Sequence, residues 1–163
     1  MPQLAAKDAC ALLDADHIAV KHLFVEYARL AILPAAEASQ TRRTELALMI
    51  CDELSVHAQI EEELFYPALR KALPADADLV DEATAEHREA RELIADIRQL
   101  DQANAAMDTL VAELNVAIEH HVKEEREQLF PKARAAPALD LPALGEQLRE
   151  RQESLRTEVS PVA

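Results

Sequence analysis

Two short stretches, His57-Ala-Gln-Ile-Glu61 and His121-Val-Lys-Glu-Glu125, carry the same spacing of histidine and glutamate. Residues four apart lie on one face of an α-helix, with their β-carbons about 6 Å apart. An imidazole and a carboxylate placed in this way can bind one metal ion or two neighbouring ions. Each glutamate is followed six residues later by a proline, Pro67 or Pro131, after aromatic residues. The chain therefore repeats one metal-ligand pattern, and both copies require a helix.

The composition favours helices throughout the chain. Ala, Leu, Glu, Gln and Arg, all strong helix formers, dominate the 163 residues. Gly145 is the only glycine, so the chain lacks residues for phosphate-binding loops and hairpin turns. A chain of this length is expected to form one domain that buries about two thirds of its unfolded surface. We predict an all-α fold.

The charge of the chain excludes several classes of partner. It has 17 Lys and Arg residues against 31 Asp and Glu residues, a net charge of −14. Nucleic acids and anionic membranes bind basic proteins, so neither is expected here. No apolar run is long enough to span a membrane, and the N-terminus lacks the apolar core of a signal peptide. Cys10 and Cys51 are expected to be free thiols. We expect a cytoplasmic protein that is a monomer or a weak homodimer.

Four long stretches repeat apolar residues at steps of three and four, which predicts amphipathic helices. Their approximate bounds are 8–33, 39 or 41–73, 78–102 and 105–135. Pro34 should end the first helix, Pro67 should kink the second or split off its last turns, and Asn104 should cap the fourth. Short connections between long helices imply an antiparallel up-down-up-down four-helix bundle over residues 1–136.

The remaining residues, 137–163, are predicted to form an appendage to the bundle. A linker at 137–142 precedes a short polar helix at about 143–156. The charged run from Arg149 to Glu158 favours a helix that faces solvent. The tail from Thr157 onward is expected to fray.

Each predicted bundle helix carries one histidine on its apolar stripe. A single histidine in such a place is more often a structural residue than a ligand. However, burying Glu61 and Glu125 beside four imidazoles is costly unless they have a partner, and metal ions remove that cost. Imidazole and carboxylate ligands suit iron, manganese, zinc or cobalt, and there are no clustered thiolates for a cysteine-type site. The predicted metal ligands are His17, His57, Glu61, His87, His121 and Glu125.

This set of residues resembles the ligand set of hemerythrin-like proteins, the HHE cation-binding domain family. The resemblance covers about residues 8–135 and includes the Phe-Tyr-Pro and Leu-Phe-Pro segments. It implies two non-haem iron ions, one bound by His17 and His57 and the other by His87 and His121. Two glutamates and an oxo or hydroxo group would bridge them, with manganese or zinc as possible substitutes. Spacing alone does not assign each histidine to its iron.

The chain departs from the oxygen-carrying hemerythrins at two points. Those proteins place a second histidine four residues after the third-helix histidine, where this chain has Arg91. They also have an aspartate five residues after the fourth-helix histidine, whereas Glu125 follows His121 by four. Fewer protein ligands leave coordination open for small molecules. Candidate extra ligands or outer groups are His22, Tyr27, Glu53, Glu62, Glu86 and Glu124.

These departures leave three classes of function. The first is a protein whose di-iron centre reacts with O2, hydrogen peroxide or nitric oxide, in oxidative or nitrosative stress or in iron handling. The second is an oxygen or iron sensing or storage module without turnover. The third is a helical interaction protein without metal. A ferritin-like centre is disfavoured because its paired Glu-x-x-His pattern is missing.

Overall fold

A computed structural model describes residues 6–33 and 38–159 of the chain. All regular secondary structure in these two ranges is helical. The α-helices in chain order are α1 (Ala9–Ala31), α2 (Gln40–Ile60), α3 (Tyr66–Ala72), α4 (Ala77–Arg98), α5 (Ala105–Glu124), α6 (Phe130–Ala135) and α7 (Leu141–Val159). Two π-helical segments, Glu61–Phe65 and Glu125–Leu129, and a 3₁₀ turn, Pro74–Asp76, complete the set. The all-α prediction is confirmed.

Side-chain caps fix the starts of two of the long helices. The Asp8 carboxylate accepts a hydrogen bond from the backbone N–H of Ala11 at 2.8 Å and begins α1. The predicted cap at Asn104 is confirmed, since its side chain accepts from Met107 N at 2.9 Å. Each cap pairs an N–H group that has no partner within the helix. Pro34, predicted to end α1, lies outside the described residues.

The irregularity in the second predicted helix begins at Glu61 rather than at Pro67. Here the backbone N–H of Tyr66 bonds to the carbonyl of Glu61, five residues earlier, so one wide π turn joins α2 to α3. Pro67 is the second residue of α3. Proline cannot donate a backbone hydrogen bond and crowds the carbonyl four residues before it. The prediction that Pro67 splits off the last turns of this helix is confirmed, and the change in hydrogen bonding itself lies one turn before the proline.

The same π turn occurs a second time, at the second copy of the motif. The backbone N–H of Phe130 bonds to the carbonyl of Glu125, which joins α5 to α6. Pro131 is the second residue of α6, as Pro67 is of α3. Isolated π turns are rare and often occur at functional sites. Both predicted ligand glutamates are thus the first residues of π segments.

The long helices pack in pairs around two apolar cores. Helix α1 packs on α2 and α4 on α5, and further contacts join α1 to α5 and α2 to α4. One core, here called the π-end core, includes Leu13, Phe65 and Phe130. The other, here called the loop-end core, includes Phe24, Ile50, Ile94, Met107 and Leu114. On each of the four helices the histidine lies between residues of the two cores, so the histidines form a layer between them.

Helix α7 differs from the solvent-facing polar helix that was predicted. It packs on α1 and α2, and its leucines are buried in the π-end core. These residues are Leu141, Leu144, Leu148 and Leu155. Their spacing of three, four and seven places them on one helical face, and this stripe is interleaved with the charged residues. The helix also continues through Thr157 to Val159, so no fraying is seen there.

The division of the chain at residue 136 stays a prediction. None of the described helices has the length and apolar character needed to cross a membrane.

Candidate metal centre

All six predicted ligands are buried at the level where the two cores meet. The side chains of Glu61 and Glu125 are completely inaccessible to solvent, although each carries a carboxylate. The four histidines are 3–7% exposed. They come from four different helices, with His17 on α1, His57 on α2, His87 on α4 and His121 on α5.

The two repeated motifs place histidine and glutamate within contact distance, as their helical spacing predicts. His57 Nε2 lies 3.0 Å from Glu61 Oε1, and His121 Nε2 lies 2.9 Å from Glu125 Oε1. Each pair ends one α-helix and starts a π segment, so the last regular turn of the helix presents the histidine and the first wide turn presents the glutamate.

The histidines converge as two pairs. His17 Nε2 lies 3.2 Å from His57 Nε2, and His87 Nε2 lies 3.2 Å from His121 Nε2. A glutamate joins each pair to form a group whose ligand atoms all lie within 4.8 Å of one another. We call these the first half-site (His17, His57 and Glu125) and the second half-site (Glu61, His87 and His121). Each glutamate therefore joins the pair that does not contain the histidine of its own motif.

Both glutamates contact histidines of both half-sites. Glu61 Oε1 lies 3.2 Å from His87 Nε2 of its own half-site, in addition to its contact with His57 of the other. Glu125 Oε1 lies 3.3 Å from His17 Nε2 in addition to its contact with His121. Each carboxylate therefore reaches one histidine of each half-site. This is the arrangement that a bridging ligand between two ions requires.

A second set of carboxylates contacts the outer nitrogens of the imidazoles. Asp14 lies 3.2 Å from His17 Nδ1, and Asp16 lies 3.0 Å from His57 Nδ1. Glu86 lies 3.0 Å from His121 Nδ1, and Glu62 lies 3.4 Å from His87 Nδ1. We call these four residues the outer carboxylates. The contacts of His17, His57 and His121 are hydrogen bonds, and a carboxylate only accepts, so Nδ1 is the protonated nitrogen of these three rings and Nε2 points inward. The contact of His87 Nδ1 with Glu62 is an ion-pair distance without a hydrogen bond.

The outer carboxylates allow a test of whether the site fits metal ions. With Nδ1 protonated, a neutral imidazole presents a lone pair at Nε2, so it has no hydrogen for the glutamate oxygen beside it. All four carboxylate oxygens of Glu61 and Glu125 are buried and have no hydrogen-bond donor. Burying such groups without a partner is strongly unfavourable. Positive charge at the centre of the cluster removes this cost, so these residues fit bound cations.

The shifted pKa values in the cluster also indicate that positive charge is favoured there. Burial lowers the pKa of His57, but Glu61 and Asp16 outweigh it and raise it to about 10. Burial likewise opposes protonation of His87 and His121, yet nearby glutamates raise the pKa of both. Burial raises the pKa of Glu61, while His57 and other neighbours hold it well below its usual range. The buried carboxylates thus favour positive charge at these three imidazoles.

A known family of proteins matches the chain over the region that contains this cluster. The family model of the hemerythrin HHE cation binding domain matches residues 8–133, which include all six residues of the cluster. The chain belongs to the hemerythrin HHE cation-binding domain family.

A solved structure of a family member has a similar fold. The crystal structure of a hemerythrin HHE cation binding domain-containing protein from Mycobacterium kansasii aligns with a TM-score of 0.72 and 26% sequence identity. The alignment covers 93% of this chain and 89% of the other. No curated protein matches the chain.

Two aromatic rings close this hemerythrin HHE site from the π-end core. The ring of Phe130 stacks on His17 with centroids 6.0 Å apart, and the ring of Tyr66 stacks on His87 at 5.3 Å. The Tyr66 hydroxyl lies 3.3 Å from His87 Nε2 and 3.5 Å from His121 Nε2. The two aromatics follow their glutamates by five residues. This equal spacing was visible in the sequence, but they were not assigned to the site.

A small cavity of about 20 Å³ lies beside the four histidines on the side of the loop-end core. Half of its lining residues are aliphatic, such as Val20 and Ile94, and the other half are polar, including Asp16 and the four histidines. Arg91 also lines it and forms a two-bonded ion pair with Glu62, one bond being 3.0 Å long. Where the oxygen-carrying hemerythrins have an additional histidine, this family member therefore has an arginine that holds an outer carboxylate.

The other candidate ligands from the sequence lie away from the inward nitrogens. The Tyr27 hydroxyl donates to Asp108 at 2.7 Å, and Glu53 pairs with Arg156 at 2.9 Å. His22 is exposed. Glu124 pairs with the exposed His120 at 3.3 Å. Of the candidates, Glu62 and Glu86 prove to be outer carboxylates, whereas Asp14 and Asp16 were missed.

A sequence feature pointed to one of the two missed aspartates. Asp14 precedes His17 by three residues, so both lie on one face of α1. Asp16 bonds to a histidine on a different helix, which no local spacing indicates.

Proposed function

We propose that the chain binds two iron ions, one at each half-site, and that the resulting centre reacts with O2, hydrogen peroxide or nitric oxide. The observation that carries this proposal is the pair of buried glutamates without hydrogen-bond donors, surrounded by four inward Nε2 atoms. The inferred ligands are His17, His57, Glu61, His87, His121 and Glu125, with both glutamates bridging. The proposal includes an antiparallel up-down-up-down arrangement of the ligand-bearing helices. It also includes a cytoplasmic location, which the two buried free cysteines support.

Iron is the preferred metal because the inferred ligands are imidazole and carboxylate and because carboxylate bridges with open positions favour a redox di-metal centre. Manganese and zinc have compatible ligand preferences and are the expected substitutes. Bound iron would supply redox electrons and open coordination positions for a small molecule. The protein itself supplies fixed imidazole orientation through the outer carboxylates and a site from which bulk water is excluded.

The cavity supports a small uncharged reactant. A volume of about 20 Å³ holds an object the size of one water molecule, and the aliphatic half of its lining suits an uncharged molecule. The Tyr66 hydroxyl lies on the opposite side of the histidines, within hydrogen-bonding distance of two inward nitrogens, and can donate a proton only to a molecule bound between the half-sites. Decomposition of peroxide to water and oxygen requires no other reactant, so the site could complete it unaided.

The second candidate is a sensing or storage module without turnover, and the aliphatic half of the cavity lining favours it. A dry pocket retains an uncharged diatomic molecule without supplying protons for its reduction. The two candidates differ in whether Tyr66 takes part in a reaction or only stabilises a bound ligand.

Metal analysis and rapid mixing test the proposal. Protein reconstituted with ferrous iron under reducing conditions should hold about two irons per chain. The reduced protein should then react with oxygen, peroxide or nitric oxide in stopped-flow spectra. A reversible oxygen adduct that is lost on degassing, with no peroxide turnover, would support the sensing or storage candidate. Iron content near zero after reconstitution would contradict both and leave the metal-free interaction protein.

A further inference from the structure

Helix α7 contributes a side chain that contacts an outer carboxylate of the site. Gln152 is 7% exposed, and its amide donates to Asp16 Oδ2 at 2.8 Å. The same oxygen accepts from His57 Nδ1 at 3.0 Å. Two hydrogen bonds therefore connect α7 to the imidazole of His57, whose other nitrogen faces the first half-site.

Asp16 differs from the other three outer carboxylates in what holds it. Arg126 contacts Asp14 at 2.6 Å, Arg91 pairs with Glu62, and His120 lies 3.1 Å from Glu86. Arg91 is on α4, His120 on α5 and Arg126 in the second π segment, so none of these partners comes from α7. Asp16 instead bonds to a neutral amide of α7, and the guanidinium of Arg156, also on α7, lies 3.9 Å from its other oxygen. The nearest partners of Asp16, apart from His57, therefore both come from α7.

The only glycine of the chain lies where α7 meets the start of α1. A β-carbon on Gly145 would lie 2.7 Å from the carbonyl oxygen of Lys7 and 2.8–2.9 Å from backbone atoms of Asp8 and Ala9. These contacts are with backbone, which cannot move aside as a side-chain tip can. Glycine weakens a helix interior relative to alanine. Its presence in α7 is explained by the close approach of this helix to the segment that leads to Asp16 and His17.

We propose that Gln152 is a positioning residue of the metal centre, that it acts through Asp16 on His57, and that the docking of α7 thereby sets the metal affinity of the first half-site. The metal part of this inference rests on the proposed function. Outer hydrogen bonds fix the ring orientation and the tautomer of a ligand histidine, and their loss typically weakens metal binding by about 10–100-fold. The second half-site has no contact of this kind with α7 among the described residues.

The variant Gln152→Leu tests the inference, with Gln147→Leu as its control. Leucine at 152 extends the buried stripe of α7, so the helix should remain docked, whereas residue 147 is exposed on the same helix. In the iron-loaded protein, Gln152→Leu should release one of two irons to a chelator about 10–100-fold faster and leave the other unchanged. Gln147→Leu should match the parent protein. Equal release from both variants would overturn the proposal.

A second measurement does not depend on metal. In the apo protein, the proton on His57 Nδ1 should give a strongly downfield NMR signal because it is bonded to Asp16. This signal should move or vanish in Gln152→Leu and persist in Gln147→Leu. An unchanged signal in Gln152→Leu would overturn the positioning role even if iron binds. If the parent chain binds no iron, the proposed function fails, whereas loss of this signal would still support the contact from α7 to His57.

The variant Gly145→Ala tests the contact between Gln152 and Asp16 through the docking of α7. The added methyl group should push α7 away from the start of α1 and weaken the bond from Gln152 to Asp16 without touching either residue. Faster release of the same single iron, together with a shifted His57 signal, would support the coupling between docking and metal affinity. Release at the parent rate, with Cys10 more reactive to thiol reagents because α7 has moved, would overturn it.

Discussion

The two half-sites have the same kinds of side chain but different surroundings. Each has two histidines and a glutamate, and each is closed by an aromatic ring one π turn after a glutamate. The ring beside His17 is Phe130, which has no polar atom. The ring beside His87 is Tyr66, whose hydroxyl reaches both histidines of the second half-site. The repeated motif therefore gives both half-sites the same histidine and glutamate side chains, while residues outside the motif give them different neighbours.

The outer carboxylates differ between the half-sites in the same way. Asp14 and Asp16, both on α1, hold the first pair of histidines, and α7 covers this side. Glu62 and Glu86 hold the second pair, and Arg91 beside them lines the cavity. The cavity itself touches all four histidines, so the half-sites differ in the residues that hold and close them rather than in their access to it.

The largest effect is expected when a bridging glutamate is removed. Glu61→Ala should lower the iron content from about two to less than one per chain, because Glu61 contacts histidines of both half-sites. The melting temperature of the metal-loaded form should fall more than that of the apo form, since only bound metal is lost. Metal analysis and calorimetry measure both. Glu127→Ala, an exposed change in the second π segment, is the control. Equal melting shifts in both forms would show that Glu61 has no metal role.

Exchanging the aromatic residues should transfer reactivity between the half-sites. Tyr66→Phe removes the one hydroxyl group by which the two aromatic rings differ, and we expect peroxide turnover to fall about 10–100-fold, in the range of a lost proton donor. Iron content should not change. Phe130→Tyr in that background should restore part of the activity if the half-sites are otherwise equivalent. Stopped-flow turnover is the measurement, and unchanged turnover in Tyr66→Phe would remove the tyrosine from the reaction.

Smaller effects are expected from the arginines that hold outer carboxylates. Arg91→Leu and Arg126→Leu each remove a partly exposed ion pair, contacts that typically contribute about 0–1 kcal/mol. Each should speed iron release from its own half-site by up to about fivefold. Only Arg91→Leu should also change the rate of nitric oxide binding, because only Arg91 lines the cavity. Equal binding rates in the two variants would contradict a role of Arg91 in access to the cavity.

The smallest effect concerns the two buried thiols, which report on the two cores. Burial raises the pKa of Cys10 to about 12 and that of Cys51 to about 11. At pH 8 the folded protein should therefore resist alkylation, and guanidinium should release two reactive thiols. Both thiol pKa values are higher in the folded than in the unfolded state. The contribution of these buried thiols to folding stability is therefore fully present below pH 9 and is lost as the pH rises toward 11 and 12. Mass spectrometry follows the alkylation. Rapid alkylation of folded protein at pH 8 would contradict the burial.

The sequence predicted the helices of the site because their periodicity is long and regular. It placed one histidine on each of four helices, and the structure brings those residues and the two glutamates into one buried cluster. Helical spacing fixes the face on which a side chain lies, and short connections bring such faces together. These features are local or nearly local, so sequence alone can carry them.

The features that were missed depend on contacts between distant residues. Asp16 acts on His57 of another helix, and Gln152 reaches it from the far end of the chain. Helix α7 was interpreted from its charges, although its leucine stripe had the period of a buried helix. The π segments depend on the choice of hydrogen-bond partner along the backbone, which side-chain patterns do not specify.

The paired π turns have a consequence for how the aromatic walls could be rebuilt. A π turn is equivalent to one extra residue in an α-helix, so it shifts the reading frame of every later side chain by about 100° around the axis. Deleting Glu63 would leave a regular α-helix in which the N–H of Tyr66 still bonds to the carbonyl of Glu61, so its ring should keep its place beside His87. Straightening the helix at full length would instead turn the ring away from the centre by about 100°. The same holds for Glu127 and Phe130, so each π turn lets one helix present its histidine, its glutamate and its aromatic ring on a single face.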